Sequence, residues 1–145
     1  MTVRRKIIIV VAVTLLSVMA CIGYSIVHTL WHIPEAYAAW DTGRLLVEYM
    51  KSHNNKWPSS WDDLLSVTNR GPGDRIPLYG VGRYPDYALH LQQTVKVDWK
   101  FDPSTNHTAL PVTRANGTKF PIVWNGAEPN EIVRAYLSTN APQPP

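Results

Sequence analysis

Residues 7–27 read IIIVVAVTLLSVMACIGYSIV, an apolar run without a charged side chain. A helix needs about 20 apolar residues to cross the hydrocarbon core of a bilayer. Arg4, Arg5 and Lys6 precede the run, and a basic flank stays on the cytoplasmic side of a membrane. The run therefore predicts one transmembrane helix with the N-terminus inside, and it predicts that the residues after about 33 face outward.

Three fates are open for this apolar segment. It is longer than the about 7–15 apolar residues of a cleavable signal peptide, which favours a retained signal anchor. VMAC at residues 18–21 resembles a lipobox, so lipidation at Cys21 is a second fate. Cleavage after Ala38, within the A-x-A sequence AYA at 36–38, is the third. Cys21 is the single cysteine, so the outward part has no internal disulfide.

The charge of the chain argues against nucleic acid as a partner. The net charge is +3, and three of the 14 basic residues lie at positions 4–6 beside the apolar run. From Pro34 onward the basic and acidic residues balance, whereas a phosphate-binding surface needs clustered Lys and Arg on the folded part. We therefore expect a protein of the bacterial inner (cytoplasmic) membrane, with a neutral domain that is periplasmic or extracellular.

Residues 35–53 predict an amphipathic helix after Pro34, where proline is expected to kink or restart the helix. Its inward stripe comprises Ala38, Ala39, Leu45, Leu46, Tyr49 and Met50. Its polar side comprises Asp41, Arg44, Glu48 and Lys51. Asn54-Asn55 is expected to end the helix.

KWPSSWDDLL at residues 56–65 predicts a helix stop followed by a new helix start. Ser59 or Ser60 is a favoured N-cap, and Ser60 has capping-box spacing to Asp63. The two aspartates fall in the first turn, where the helix dipole favours negative charge. We interpret the motif as a structural contact, here called the pin, that packs the short helix against the 45–49 face. Its tryptophans would also suit an exposed surface on which a ligand stacks. The pin comprises Trp57, Pro58, Trp61, Asp62 and Asp63.

The C-terminal half predicts a small antiparallel sheet and a last helix. Residues 87–91 and 95–101 alternate apolar and polar side chains, as half-buried strands do, and Asn116-Gly117 is a strong hairpin signal. Residues 128–139 predict a helix with Ile132, Val133, Tyr136 and Leu137 inward. The expected fold is α+β: a transmembrane helix continues into an amphipathic helix, which packs on the small antiparallel sheet beside the C-terminal helix. The expected domains are a basic stub and anchor at 1–33, an exported domain at 34–139 and a disordered Pro-rich tail at 140–145.

Residues 69–86 read NRGPGDRIPLYGVGRYPD, a long irregular connection rich in Gly and Pro. Loops of this length are usually functional or disordered, and a solvated surface loop is the competing interpretation. The predicted partner or ligand contacts are Arg70, Arg75, Arg83, Tyr79 and Tyr84.

No catalytic motif is visible in the chain. His28 and His32 have helical metal-pair spacing, but they lie at the predicted membrane exit beside Trp31, which favours an interfacial role. Asp62 and Asp63 are explained by their place at a helix start. We therefore predict no catalytic residue, no cofactor and no metal site.

The order of elements resembles type IV pilins and the pseudopilins of type II secretion, over about residues 7–67. Tyr49, Trp57, Pro58 and Leu64 match the pseudopilin pattern of a helix ending in Tyr, a polar turn, an aromatic-Pro pair and a short helix ending in Leu. The prepilin processing motif is absent, because the apolar run follows Lys6 directly. The resemblance implies a pilin-like exported domain.

Two functions remain open from the sequence. The first is a non-enzymatic, membrane-anchored envelope protein that acts through contacts with envelope protein partners. The alternative is an envelope module that binds glycan or peptidoglycan through exposed tryptophans and the 69–86 loop.

Overall fold

The computed structural model describes residues 3–69, 78–80, 86–104, 110–121, 123–124 and 126–140. Helix α1 spans Val3–Ser52, α2 spans Trp61–Ser66, and a 3₁₀ turn spans Val67–Asn69. Helix α3 (Tyr87–Thr94), strands β1 (Val95–Val97) and β2 (Val112–Arg114), and helix α4 (Pro129–Asn140) follow. The fold class is α+β as predicted, with a long apolar N-terminal helix, a two-stranded antiparallel sheet and a short C-terminal helix. The chain divides into two compact units, Met1–Ile33 and Pro34–Pro145.

The first unit is the apolar half of α1. This helix is long and apolar enough to cross a membrane, and its side chains from Val3 to Trp31 are exposed. The hydroxyls of Thr14, Ser17 and Thr29 each donate to the carbonyl oxygen four residues earlier, at 2.9 Å. These polar side chains are thus satisfied within the helix itself. The predicted restart at Pro34 is wrong, because the helix continues through this residue to Ser52.

In the second unit the C-terminal half of α1 is the central element. Its buried positions between residues 36 and 50 occupy most of the helix circumference, and they include Asp41 from the predicted polar side. Tyr37, Trp40, Arg44 and Glu48 are half-buried and together form the remaining strip. The expected division into one apolar and one polar side is therefore wrong, because other elements cover the helix on more than one side.

Helix α1 ends where the sequence predicts. Asn54 and Asn55 adopt positive φ angles of 54° and 61°, which asparagine tolerates better than most residues. The Asn55 backbone N–H donates to the Met50 carbonyl at 2.9 Å. The Tyr136 hydroxyl donates to Asn55 Oδ1 at 2.5 Å, so this helix end is also tied to α4.

Residues 87–94 form helix α3, and the strand predicted over 87–91 is wrong. Asp86 is the N-cap, and its side chain accepts from the Leu89 backbone N–H at 2.9 Å. Tyr87 and Leu91, one helical turn apart, are buried, whereas Leu89 is exposed. A good N-cap and an i, i+4 apolar pair thus prevail over the alternation of residue types.

Strand β1 pairs antiparallel with β2, with Val97 opposite Val112. Val95 and Val97 are buried as predicted, but the strand ends at Val97, before Trp99 and Phe101. The Asn116-Gly117 turn is present: Gly117 has a φ of 82°, and its N–H donates to the Arg114 carbonyl at 2.8 Å. Among the described residues beyond this turn no further strand forms.

Helix α4 presents the face that the sequence predicts. Val133 and Leu137 are buried, and Ile132 and Tyr136 pack against the same core. Its first residue lies close to α1, because a Cβ added at Gly43 would be 2.8 Å from the Cα of Pro129. A glycine at this position of α1 permits the close approach.

Candidate functional site

A fully buried carboxylate organises one side of the second unit. Asp41 Oδ1 accepts from the Tyr79 backbone N–H at 3.0 Å. Its Oδ2 accepts from the Gly80 N–H at 3.0 Å and from the Tyr87 hydroxyl at 2.6 Å. Three donors thus converge on one buried carboxylate, and hydrogen bonds to carboxylates are among the stronger ones in proteins. Asp41 therefore fixes the turn at residues 78–80 to α1 and to α3.

Gly80 fits this arrangement because it has no side chain. A Cβ at residue 80 would lie 2.2 Å from ring atoms of Tyr87. The Tyr87 ring thus lies directly against the backbone of the turn, and the hydroxyl reaches Asp41 from there. These contacts hold the turn at residues 78–80 in one position against α1, and they hold the backbone of Tyr79 with it.

The fixed turn places Tyr79 in a cluster of four aromatic rings, which we call the aromatic cluster: Tyr37, Trp40, Tyr79 and Trp124. Tyr79 stacks on Trp40 with ring centroids 4.1 Å apart and planes 9° apart. Trp124 lies 4.7 Å from Tyr37 and 6.0 Å from Trp40. Tyr79 and Trp124 remain 46% and 38% exposed, so the cluster presents aromatic surface to solvent.

A cation completes the aromatic cluster. The guanidinium carbon of Arg44 lies 5.0 Å from the centroid of the Tyr79 ring, within cation–π range. Arg44 follows Trp40 by four residues, so both side chains lie on the open strip of α1. The surface therefore combines stacked rings with one positive charge.

Of the five predicted contact residues, Tyr79 lies in the described part of the chain, and it belongs to the aromatic cluster. Arg70, Arg75, Arg83 and Tyr84 lie outside the described residues. The other members of the cluster were not in the predicted contact set. Tyr37, Trp40 and Arg44 have i, i+3, i+7 spacing, which places them on one helix face, and this spacing is the signal that the sequence offered.

The residues of KWPSSWDDLL form a helix start that packs against the end of β1. The Trp57 indole N–H donates to the Asp98 carbonyl at 2.9 Å, and its ring meets Phe101 edge-on at 4.7 Å. Trp61 meets Trp99 edge-on at 5.4 Å. Pro58 is buried, and both tryptophans are half-buried against the core. The two tryptophans thus make their ring contacts with residues 99 and 101, whereas the sequence predicted contacts with the 45–49 face of α1.

Ser60 is the N-cap of α2, as predicted, and its side chain accepts from the Asp63 N–H at 3.2 Å. The Asp63 carboxylate accepts in return from the backbone N–H and the hydroxyl of Ser59. The Ser59 hydroxyl and N–H hold the pKa of Asp63 below its usual value. Burial, and next the nearby charge of Asp63, raise the pKa of Tyr49. Asp62 and Asp63 thus lie in the first turn of α2, where Ser60 caps the helix and the Asp63 carboxylate bonds back to Ser59.

A second surface feature is an open groove of about 550 Å³ beside the sheet. Its polar lining includes Lys96, Asp98 and Lys100, and Trp99 supplies one aromatic ring. Asp98 Oδ1 is engaged by the Lys100 backbone N–H at 3.0 Å. With one ring and flexible lysines, this groove is less organised than the aromatic cluster.

Within the described ranges, no group of three or more His, Cys, Asp or Glu side chains could hold a metal ion. His28 and His32 form a pair, with ring centroids 4.7 Å apart. Comparison of the chain with protein-family models, with curated proteins and with solved structures returned no match.

Proposed function

We propose that this chain is a non-enzymatic envelope protein, anchored by residues 7–27 in the bacterial inner membrane, whose 34–139 domain is exported and binds a protein partner. The observation that carries the proposal is the aromatic cluster, fixed by buried Asp41 and exposed at Tyr79 and Trp124. The apolar length of α1 supports the anchor. The pilin-like order of elements supports a role in contacts within the envelope.

Protein recognition suits the composition of the aromatic cluster. Trp, Tyr and Arg are the residue types that dominate the binding energy of protein interfaces. Large rings that are already stacked lose little conformational entropy when a partner covers them. Because the buried hydrogen bonds of Asp41 hold the Tyr79 backbone in place, binding requires little reorganisation.

A photo-cross-linking experiment in intact cells tests this function. A photoreactive phenylalanine analogue replaces Tyr79, and in a matched control it replaces Leu89, which is 47% exposed and lies on α3 outside the cluster. We expect a discrete cross-linked protein from position 79 and none from position 89. The product should disappear when Trp124→Ala is added, since this change removes the neighbouring exposed ring. Equal products from both positions would contradict a binding role for the cluster.

A glycan-binding module is the second candidate, and the stacking of Tyr79 on Trp40 favours it. Sugar rings also bind to exposed aromatic faces, and Arg44 supplies a donor beside them. Soluble peptidoglycan fragments should then change the tryptophan fluorescence of the full chain, and Trp124→Ala should reduce that change. Unchanged fluorescence at saturating fragment concentration would leave protein binding as the function.

A further inference from the structure

The polar residues of the apolar half of α1 all lie on one face. Between residues 7 and 32 these side chains are Thr14, Ser17, Cys21, Tyr24, Ser25, His28, Thr29 and His32. At about 100° per residue they fall within an arc of about 140°. The residues on the rest of the circumference are apolar, with Gly23 and Trp31 the ones that are neither aliphatic nor Met. All of residues 3–52 are helical, so this arrangement applies to the observed backbone.

The polar face also has the spacing of a helix-packing seam. Thr14, Ser17, Cys21, Tyr24 and His28 are separated by three, four, three and four residues. This is the a/d pattern by which two helices pack in a left-handed supercoil, the usual handedness of helix pairs in membranes. Five successive a and d positions are thus polar on a helix whose other side is apolar, and this polar face is suited to pack against a second helix.

These side chains retain hydrogen-bonding capacity toward a neighbour. The hydroxyls of Thr14 and Ser17 donate within the helix, yet each oxygen can still accept a further hydrogen bond. Tyr24 is 73% exposed, and its ring lies 5.9 Å from that of His28. In hydrocarbon, polar side chains on one face favour a protein neighbour over lipid.

We propose that residues 10–31 form a parallel homodimer in the membrane, with Thr14, Ser17, Cys21, Tyr24 and His28 at the helix–helix contact. This inference rests on the proposed membrane anchor. All copies insert with the basic N-terminus on the same side, so each seam residue meets its counterpart at the same depth. Hydroxyl, thiol and imidazole groups each offer a donor and an acceptor, which makes the seam self-complementary.

The absence of charge on the seam favours a second copy over a different helix. Residues 7–32 contain no Asp, Glu, Lys or Arg. A heterologous partner that pairs through intramembrane charge would need an opposite charge here, and this face offers none. The hydroxyl, thiol and imidazole groups of this seam are instead complementary to those of a second copy.

Cys21, the single cysteine of the chain, supplies the test because it lies in the middle of the seam. In a packed helix pair, facing Cα atoms lie about 6 Å apart, within reach of a disulfide, whereas those on the outer faces lie about 13 Å or more apart. The full chain is oxidised in native membranes with copper phenanthroline and separated on a non-reducing gel. The matched control carries Cys21→Ala with Met19→Cys, which moves the thiol to the opposite face of the helix.

We expect a reducible species of twice the chain mass from the natural cysteine and none from the control. Ser17→Phe should abolish the dimer formed through Cys21, because a bulky ring on the seam separates the helices, whereas Ala12→Phe on the opposite face should not. Equal cross-linking from both thiol positions, or a product whose mass is not that of a dimer, overturns the proposal. Resistance of the chain to carbonate extraction tests the anchor separately. A chain that is retained in the membrane but gives no Cys21 dimer disproves the dimer and leaves the anchor standing, whereas a chain that is extracted overturns both.

Discussion

The backbone N–H of Tyr79 donates a 3.0 Å hydrogen bond to Oδ1 of Asp41, 38 residues earlier in the chain. This contact links the centre of the fold with the exposed surface, because Asp41 is fully buried and Tyr79 is 46% exposed. The same carboxylate holds Gly80 and Tyr87. The position of the exposed ring therefore depends on a hydrogen-bond network that lies in the core.

Replacing Asp41 should destabilise the domain and disorder the aromatic cluster. Asp41→Ala leaves three donors, two of them buried, without an acceptor, and we expect a loss of about 3–5 kcal/mol in the free energy of unfolding. Asp41→Asn keeps the shape but places an amide N–H₂ against one of the donors, so a loss of about 1–3 kcal/mol is expected. Chemical denaturation of the full chain in detergent, followed by tryptophan fluorescence, measures both. If Asp41→Ala lowered the free energy of unfolding by no more than Asp41→Asn does, the hydrogen-bond network would not hold the turn.

Two glycines should respond differently to the same substitutions, because their constraints differ. Gly80→Ala brings a Cβ within 2.2 Å of the Tyr87 ring, and overpacking of this kind costs about 1–3 kcal/mol. Gly117→Ala meets open space, but its φ of 82° is costly for a residue with a side chain, about 1–2 kcal/mol. Gly117→Asn should be more stable than Gly117→Ala, because asparagine tolerates the left-handed conformation needed there. Gly80→Asn should be less stable than Gly80→Ala. Thermal unfolding of the four variants separates steric from conformational strain.

The sequence predicted the local features of this fold better than its long-range ones. Asn54-Asn55, Ser60 and Asn116-Gly117 act through their own backbone conformation and hydrogen bonds within a few residues, so their roles were visible in the sequence. The strand prediction for residues 87–91 was wrong because it rested on the alternation of Tyr87, Leu89 and Leu91 alone and took no account of an N-cap at Asp86. In the structure the cap satisfies a free N–H and the i, i+4 pair is buried, so a helix forms.

The aromatic cluster was less predictable for a physical reason. Asp41 has the spacing of a solvent-facing residue on an amphipathic helix, and its burial depends on a turn 38 residues away. The exposed ring of Tyr79 was predicted as a contact, whereas no contact role was predicted for Trp124. The spacing of Tyr37, Trp40 and Arg44 puts them on one helix face, but nothing local indicated that a distant tyrosine would stack there.

Trp57 provides a test of the predicted pin. Trp57→Ala removes the hydrogen bond to the Asp98 carbonyl and the edge contact with Phe101. Because the ring is half-buried, we expect a loss near the lower end of the range for Trp→Ala, about 3 kcal/mol. Trp57→Phe keeps an aromatic contact and loses the hydrogen bond, which should cost about 1 kcal/mol. A near-neutral Trp57→Ala in denaturation experiments would return this tryptophan to the ligand-binding hypothesis.

His90 should make the domain less stable on mild acidification. Burial lowers the pKa of His90, an effect partly opposed by a hydrogen bond to the Pro34 backbone. The folded state thus binds a proton less readily than the unfolded state, whose His pKa is about 6.5. The contribution to stability is complete above that pH and falls as the pH drops through the lowered folded pKa.

The comparison variant is His90→Gln, which does not titrate. Between about pH 7 and 5 the free energy of unfolding of the natural chain should fall more steeply than that of the variant. Asp63 does not contribute in this window, because its pKa is also lowered and its effect appears only at more acidic pH. Identical slopes for the two chains would show that His90 is equally easy to protonate in both states.

Asn130 should be essential to the outer edge of the sheet. Its Oδ1 accepts from the Val112 N–H, and its Nδ2 donates to the Val112 carbonyl, both at 2.9 Å. The buried Asn130 amide thus makes the two hydrogen bonds to β2 that a neighbouring strand would make. It covers a sheet edge to which a strand of another chain could otherwise bind. Asn130→Asp replaces the donor with a charged oxygen beside the carbonyl, and we expect a loss of about 2–3 kcal/mol with increased aggregation. Unfolding curves and light scattering measure the two effects. The control is Asn116→Asp on the exposed turn, where a carboxylate can accept the same hydrogen bonds from Thr118 and stability should hardly change.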